Sequence, residues 1–206
     1  MSSDIILQGG VPPAGELAPK PASDGAFGIL SVCRVTKSKR LDWVLEGLAK
    51  LRGEEGWPAG FRPILEIVGE GPEEAGLKLL AERLGLSDFV KFRGFVSAQE
   101  LEECYRRAHL FVMPAIQGYG LPALEALYRR VPVLMHSDSG VSEIFDHNPW
   151  AEIVSGGPQD YANAFVHAVR RILTSPPSIE EFPHLPTEEG WAAEIVRQCD
   201  WKLPQP

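Results

Sequence analysis

Six short apolar runs interleaved with longer stretches of helical periodicity constrain this chain more than any other feature. The runs are FGILSVC (27–33), PILEIVG (63–69), FVKFRGF (89–95), LFVMPA (110–115), VPVLMHS (131–137) and AEIVS (151–155). Most are continuously apolar rather than alternating, the pattern of strands covered on both faces. The intervening segments are amphipathic. In 40–53, Leu41, Val44, Leu45, Leu48 and Leu51 fall on one helical face and the stretch closes on Gly53. Segment 72–86 opens with Pro72, Glu73 and Glu74, the chemistry a helix start favours. Ser97 followed by Glu100 predicts a capping box at the head of 97–108. Segments 121–130, with Pro122 in its first turn, and 160–173 complete the series.

Strand and helix in repeated alternation predict an α/β, three-layer Rossmann-like domain, a parallel sheet of about six strands with helices on both faces. That domain is expected over residues 26–180. Residues 1–25, dense in Pro, Gly, Ala and Ser, read as a linker segment, and 181–206 as a tail with a helix. In its stretch GWAAEIVRQCDW, Trp191, Ile195 and Cys199 recur at four-residue spacing, either packing on this domain or forming a stripe left for a partner. Sheets of this kind bind ligands beyond the C-terminal ends of their strands, so the loops there carry the functional expectations.

Composition narrows the class. A formal net charge of −8 over 206 residues argues against a nucleic-acid binder. An anion site in so acidic a chain must be built locally, from a few cations and backbone N–H groups. Cys33, Cys104 and Cys199 have no paired spacing, and His109, His136, His147, His167 and His184 have no metal-ligand spacing, so reduced thiols and no metal are expected. No stretch approaches the ~20 apolar residues of a membrane span. The first ten residues lack a basic flank and an apolar core, so a cytoplasmic protein is expected, with a peripheral position at the inner membrane face as the variant.

Four strand ends carry the candidate chemistry. The first run leads into CRVTKSKRLD, where Arg34 and Lys39 flank a turn that Lys37 and Arg40 make more basic still. The turn is either a solvated basic loop or a diphosphate clamp, with the fork of Arg and the point charge of Lys at a helix start. The second run ends in VGEGPEE, a turn whose glycines could be purely geometric. The fourth leads into PAIQGYGLPALEAL, where Gly118 and Gly120 permit close backbone approach and the helix after them points its first N–H groups outward. Gln117 precedes that turn and Glu125 lies on the helix among Leu124, Ala126 and Leu127, either as a ligand-binding acid or as a satisfied core carboxylate. Beyond the fifth run stand Ser139, Gly140 and Glu143, where capping would explain the serines equally well.

Taken in order, these segments resemble the C-terminal domain of the group 1 glycosyltransferases, a retaining family with a two-Rossmann-domain architecture. Arg34 and Lys39 match its two diphosphate-binding cations. VGEGP (68–72), with Gly71, matches its glycine-rich turn, and FRGFV (92–96), ending at Val96, matches a stretch near the nucleobase. QGYG (117–120) followed by Glu125 aligns with its Glu-Gly-Phe-Gly turn and a second glutamate eight positions after the first. RVPVL (130–134) and SGVSE (139–143), which holds Glu143, align with two further elements.

The resemblance implies that Arg34, Lys39 and Gln117 serve catalysis. It implies that Gly71, Val96, Gly118, Tyr119, Gly120, Leu121, Glu125 and Glu143 bind the donor, Glu125 through the ribose and the amides near Gly120 and Leu121 through phosphate. The implied substrate is a UDP-, GDP- or ADP-linked sugar, with no cofactor and no metal, and the implied partner is an N-terminal acceptor-binding domain absent from this sequence. The N-terminal IILQGGV is similar to the point where that first domain ends and the interdomain linker begins. Several positions depart from the family. Gln117 stands where a glutamate is usual, Cys33, Arg40, Arg130 and Ser139 stand where glycines are, and His109 replaces a common aspartate.

Two other readings stay open. A non-catalytic nucleotide-sugar-binding or regulatory module of the same fold would suit Gln117. GYGLPA also fits a dinucleotide fingerprint, with Asp138 twenty positions after Gly118, as in an NAD-dependent dehydrogenase. That fingerprint belongs on the first strand-to-helix turn, however, and it leaves Arg34 and Lys39 without a role.

Overall fold

The computed structural model describes residues 26–116, 120–145 and 148–183, with Leu185 and Ala193. Its elements are β1 (Ala26–Val32), α1 (Leu41–Gly53), β2 (Arg62–Val68), α2 (Glu74–Arg83), β3 (Val90–Gly94), α3 (Ala98–Arg107), β4 (Ala108–Met113), α4 (Leu121–Tyr128), β5 (Val133–His136), β6 (Ala151–Val154) and α5 (Pro158–Thr174). Single 3-10 turns occupy Lys37–Lys39, Gly140–Ile144 and Ile179–Glu181. All six strands are parallel, in the order β3-β2-β1-β4-β5-β6. This is the Rossmann-like α/β fold the alternating pattern predicts.

Both faces of the sheet are covered. Leu65, Ile67, Leu110, Val112 and Leu134 meet α1, α2 and α5, while Leu30, Phe111, Met113, Val133 and Met135 meet α3 and α4. Strands buried on both faces explain why the apolar runs are continuous. On the first face α1 and α5 pack closely, and a Cβ on Gly47 would stand 2.9 Å from Cγ of Phe165. The capping box forms as expected: the Ser97 N–H donates to Glu100 Oε2 (2.9 Å) and the Glu100 N–H to Ser97 Oγ (3.3 Å).

One boundary differs from the sequence reading. β4 begins at Ala108, directly after α3, two residues before the apolar run suggests. His109 interrupts the run, yet it belongs to the strand. Its Nδ1 accepts the Gly28 N–H at 3.0 Å and its ring stacks on Phe27. The expected linker at 1–25 and most of the expected tail helix, including Trp191, Ile195 and Cys199, lie outside the described residues.

The chain runs β1, β2, β3 to one edge of the sheet, then returns through α3 to place β4 on the other side of β1. The strand order reverses between β1 and β4. In sheets of this kind ligands bind beyond the C-terminal ends of the strands at such a reversal, so the loops after β1 and β4 are where a crevice is expected.

Candidate functional site

The loop leaving β1 is held from below. The Cys33 N–H donates to the Val68 carbonyl (3.0 Å), the Val35 N–H to that of Glu70 (2.9 Å), and the Glu73 N–H to that of Val35 (3.2 Å). Val35 is fully buried, so the residue before it is turned out: Arg34 is exposed and makes no ion pair among the described residues. The chain then winds through the 3-10 turn, where the Lys39 N–H donates to the Thr36 carbonyl at 2.9 Å. Lys39 is half-buried. Gly71 has a packing reason to be glycine, because a Cβ there would lie 2.1 Å from the Val35 carbonyl oxygen.

The loop after β4 is bonded to this turn: the Ile116 N–H donates to the Ser38 carbonyl at 3.0 Å. Gln117, Gly118 and Tyr119 lie outside the described residues. Gly120 caps α4 with φ 106, and a Cβ on it would stand 2.7 Å from Ser139 Oγ and 2.9 Å from Val141 Cγ1. Glycine is therefore required here by conformation and by the approach of the β5 loop. Pro122 has no N–H, and the Ala123 N–H is committed to the Gly120 carbonyl at 3.0 Å. Backbone donation at the head of α4 thus falls to Gly120 and Leu121.

Glu125 lies one turn into α4, half-buried, with Oε2 accepting from the hydroxyl of Tyr105 on α3 at 2.8 Å. Tyr105 is 1% exposed. Burial first, then the adjacent Glu125 carboxylate, pushes its phenol far above the ordinary value, so it stays a donor. Arg129 covers the Tyr105 ring at 4.6 Å and is fixed by Glu102 at 2.8 Å. Both readings of Glu125 therefore bear on it, since one oxygen is satisfied from within the protein. Sequence reasoning missed Tyr105, whose only signal was an aromatic on the buried face of α3.

The remaining candidates stand along the same C-terminal edge. Glu143 is exposed on the turn Gly140–Ile144, which reaches Gly120 through Ser139 and Val141. Val96 is half-buried against the core beneath α3 and α4. Its neighbour Phe95 is 85% exposed, with its N–H donating to Glu70 Oε1 at 3.2 Å. Sequence reasoning did not single out Phe95.

It also gave Arg40 and Asp138 no common role. Arg40, in left-handed backbone with φ 50, places one guanidinium nitrogen 2.8 Å from Asp138 Oδ2 and another 3.4 Å from the Pro114 carbonyl. The guanidinium lies 4.4 Å from the centre of the Trp43 ring. One side chain thereby joins the loops after β1, β4 and β5. The acid of the dinucleotide alternative is thus engaged by a cation, and the fingerprint glycines lie after β4 rather than β1.

Among the described residues, no three His, Cys, Asp or Glu gather as metal ligands, and Cys33 and Cys104 are free thiols. No helix of the described residues is long and apolar enough to cross a membrane.

Residues 16–184 match the family described as Glycosyl transferases group 1. Among curated proteins, D-inositol 3-phosphate glycosyltransferase 2 of Catenulispora acidiphila is 29% identical over 184 residues, covering 84% of this chain and 42% of that protein. Among solved structures, the apo lipopolysaccharide outer core galactosyltransferase WaaB superposes with a TM-score of 0.71 at 18% identity, over 92% of this chain and 54% of that one. HepE of Anabaena, solved in complex with UDP, gives 0.67 at 18% identity over 85% of this chain and 49% of that one. The chain spans 29% to 42% of the length of the first curated relatives it matches.

Proposed function

The chain belongs to the group 1 family of glycosyl transferases, and from that premise we propose that it is the donor-binding part of such an enzyme. In this reading the crevice between the β1 and β4 loops holds the diphosphate of a nucleoside-diphosphate sugar. An acceptor-binding domain outside this chain completes the site. The observation that carries the reading is the hydrogen bond between Ile116 and Ser38, which joins the β4 loop leading towards α4 to the turn that holds Lys39, beside an exposed Arg34 that makes no ion pair among the described residues. Both cations and the positive end of the helix would face one small volume.

The reaction would be departure of the nucleoside diphosphate with retention at the sugar carbon. Negative charge accumulates on the leaving phosphate, and Arg34, Lys39 and the Gly120 and Leu121 amides would stabilise it without requiring a metal. The leaving phosphate would take the proton of the incoming hydroxyl, so that no separate base is needed. Glu125 would accept from the ribose, with Val96 near the base and Gly71, Gly118, Tyr119 and Glu143 around the remaining donor. That HepE is solved with UDP supports a nucleoside diphosphate as the ligand class.

A second reading, binding without transfer, is favoured by Gln117, because an amide can hold sugar hydroxyls but cannot oppose positive charge. Loss of one preorganised electrostatic group costs about 3 kcal/mol of barrier, a hundred-fold or more in rate.

The test is calorimetric titration of UDP, GDP and ADP into the wild-type chain and into Arg34→Ala and Lys39→Ala. One nucleotide should bind, with affinity falling at least about tenfold in each variant, the scale of a lost charge-assisted hydrogen bond. Unchanged affinity in Arg34→Ala would remove that residue from the site.

A further inference from the structure

Arg40 occupies a backbone conformation that suits glycine (φ 50, ψ 39), at the junction between the Lys37–Lys39 turn and α1. A long cationic side chain in such a conformation is strained, so the contacts it makes must hold it there. Those contacts are specific. The guanidinium is 2.8 Å from Asp138 Oδ2, within reach of the Pro114 carbonyl and over the Trp43 ring. Its side chain is 18% exposed and that of Asp138 43%.

Asp138 stands at a sensitive place. Its neighbour Ser139 is buried and lines the space above Gly120, at the head of α4. A carboxylate on that rim opposes any anion entering the crevice, in a chain whose net charge is already −8. The other titratable group facing it is His136, whose Nδ1 lies 3.1 Å from the Asp138 backbone nitrogen and 3.2 Å from Asp138 Oδ2, while its Nε2 lies 3.0 Å from the Gly156 carbonyl. Arg40, a permanent cation, makes the shorter contact with the carboxylate, at 2.8 Å.

We infer that Arg40 is a positioning residue of the diphosphate site: it straps the loops after β1, β4 and β5 together and cancels the charge of Asp138 beside the head of α4. This rests on the reading of the crevice as a diphosphate site. It differs from a direct role, in which Arg40 would add a third cation to the phosphates. A guanidinium shared among a carboxylate, a carbonyl and an aromatic face has little left to offer a ligand.

A double-mutant cycle separates the possibilities. Full-length wild type, Asp138→Asn, Arg40→Gly and the double variant are titrated with the nucleoside diphosphate that the wild type binds. The same nucleoside without phosphates serves as control, at low and high salt. Asn keeps an acceptor for Arg40, so Asp138→Asn removes charge with little change of shape. It should tighten diphosphate binding roughly three- to tenfold, most at low salt, with the nucleoside unmoved. Arg40→Gly should weaken diphosphate binding by about tenfold, and adding Asp138→Asn should recover most of that loss.

A double variant no better than Arg40→Gly would mean that Arg40 touches the ligand and would overturn the inference. So would an Asp138→Asn that binds no more tightly, or parallel losses for diphosphate and nucleoside. Should Arg40→Gly not fold, Asp138→Asn alone decides by its sign. A folded wild type that binds no nucleoside diphosphate would overturn the proposed function, and this inference with it.

Discussion

At the scale of single residues, the departures from the family pattern acquire a physical account. Arg40 and Arg130, which stand where glycines are usual, are the two non-glycine residues with positive φ among those described, at 50° and 56°. The arginines keep the glycine conformation. Arg40 is offset by its ion pair with Asp138, whereas the structure shows no ion pair for Arg130 among the described residues. Arg130→Gly should therefore raise stability by roughly 0.5–1 kcal/mol, the left-handed penalty less the added chain entropy of glycine. A denaturant midpoint that falls would contradict this.

Glu125 was legible in the sequence as an acid in apolar company, but the hydroxyl that fixes it comes from Tyr105, on another helix. No local pattern could announce that partner. If Glu125 receives a ribose, Tyr105→Phe should weaken nucleoside diphosphate binding several-fold, about 1 kcal/mol, by releasing the carboxylate. Binding of the 2′,3′-dideoxy analogue should not change. Equal losses for both analogues would reduce Tyr105 to a structural role.

At the scale of elements, strand and helix positions follow from the burial of both sheet faces, which prints continuous apolar runs into the sequence. The reading fails where a polar residue is satisfied by tertiary contacts, as His109 is by Gly28 and Phe27 at the start of β4. The Ser97–Glu100 box is legible because it is local. Ser97→Ala should cost about 1 kcal/mol in chemical denaturation. The Ser97 N–H, then its hydroxyl, hold the Glu100 carboxyl below its ordinary value. A depressed folded pKa contributes stability above the unfolded value, and this is lost as pH falls through the folded one. The difference between wild type and Glu100→Gln should accordingly shrink on acidification below pH ~4. The α1–α5 contact, by contrast, pairs helices distant in sequence, and there Phe165→Ala should cost about 3–5 kcal/mol.

At the scale of the whole molecule, two buried phenols, Tyr105 and Tyr161, have values raised chiefly by burial. A raised folded pKa gives stability that is complete below the unfolded value and lost as pH climbs beyond it. Unfolding should therefore become easier above pH ~10, and Tyr105→Phe should flatten that alkaline limb.

The strand order reverses between β1 and β4, with Arg34 and Lys39 in the segment after β1, and Gly120 and Leu121 at the head of α4. The strap across the loops was not legible. Arg40 and Asp138 lie far apart in sequence, and each has a plausible local role as a surface charge.

The central claim, that this crevice takes a nucleoside diphosphate, is tested most directly by a thermal-shift panel of UDP, GDP, ADP and their sugar conjugates, with NAD and NADP alongside. A ligand at a hundred times its dissociation constant adds about 2.7 kcal/mol, roughly 5–10 °C for a chain of this size. The account predicts such a shift for one nucleoside diphosphate series, absent in Arg34→Ala. A folded protein indifferent to all three series, or shifted by NAD alone, would contradict it.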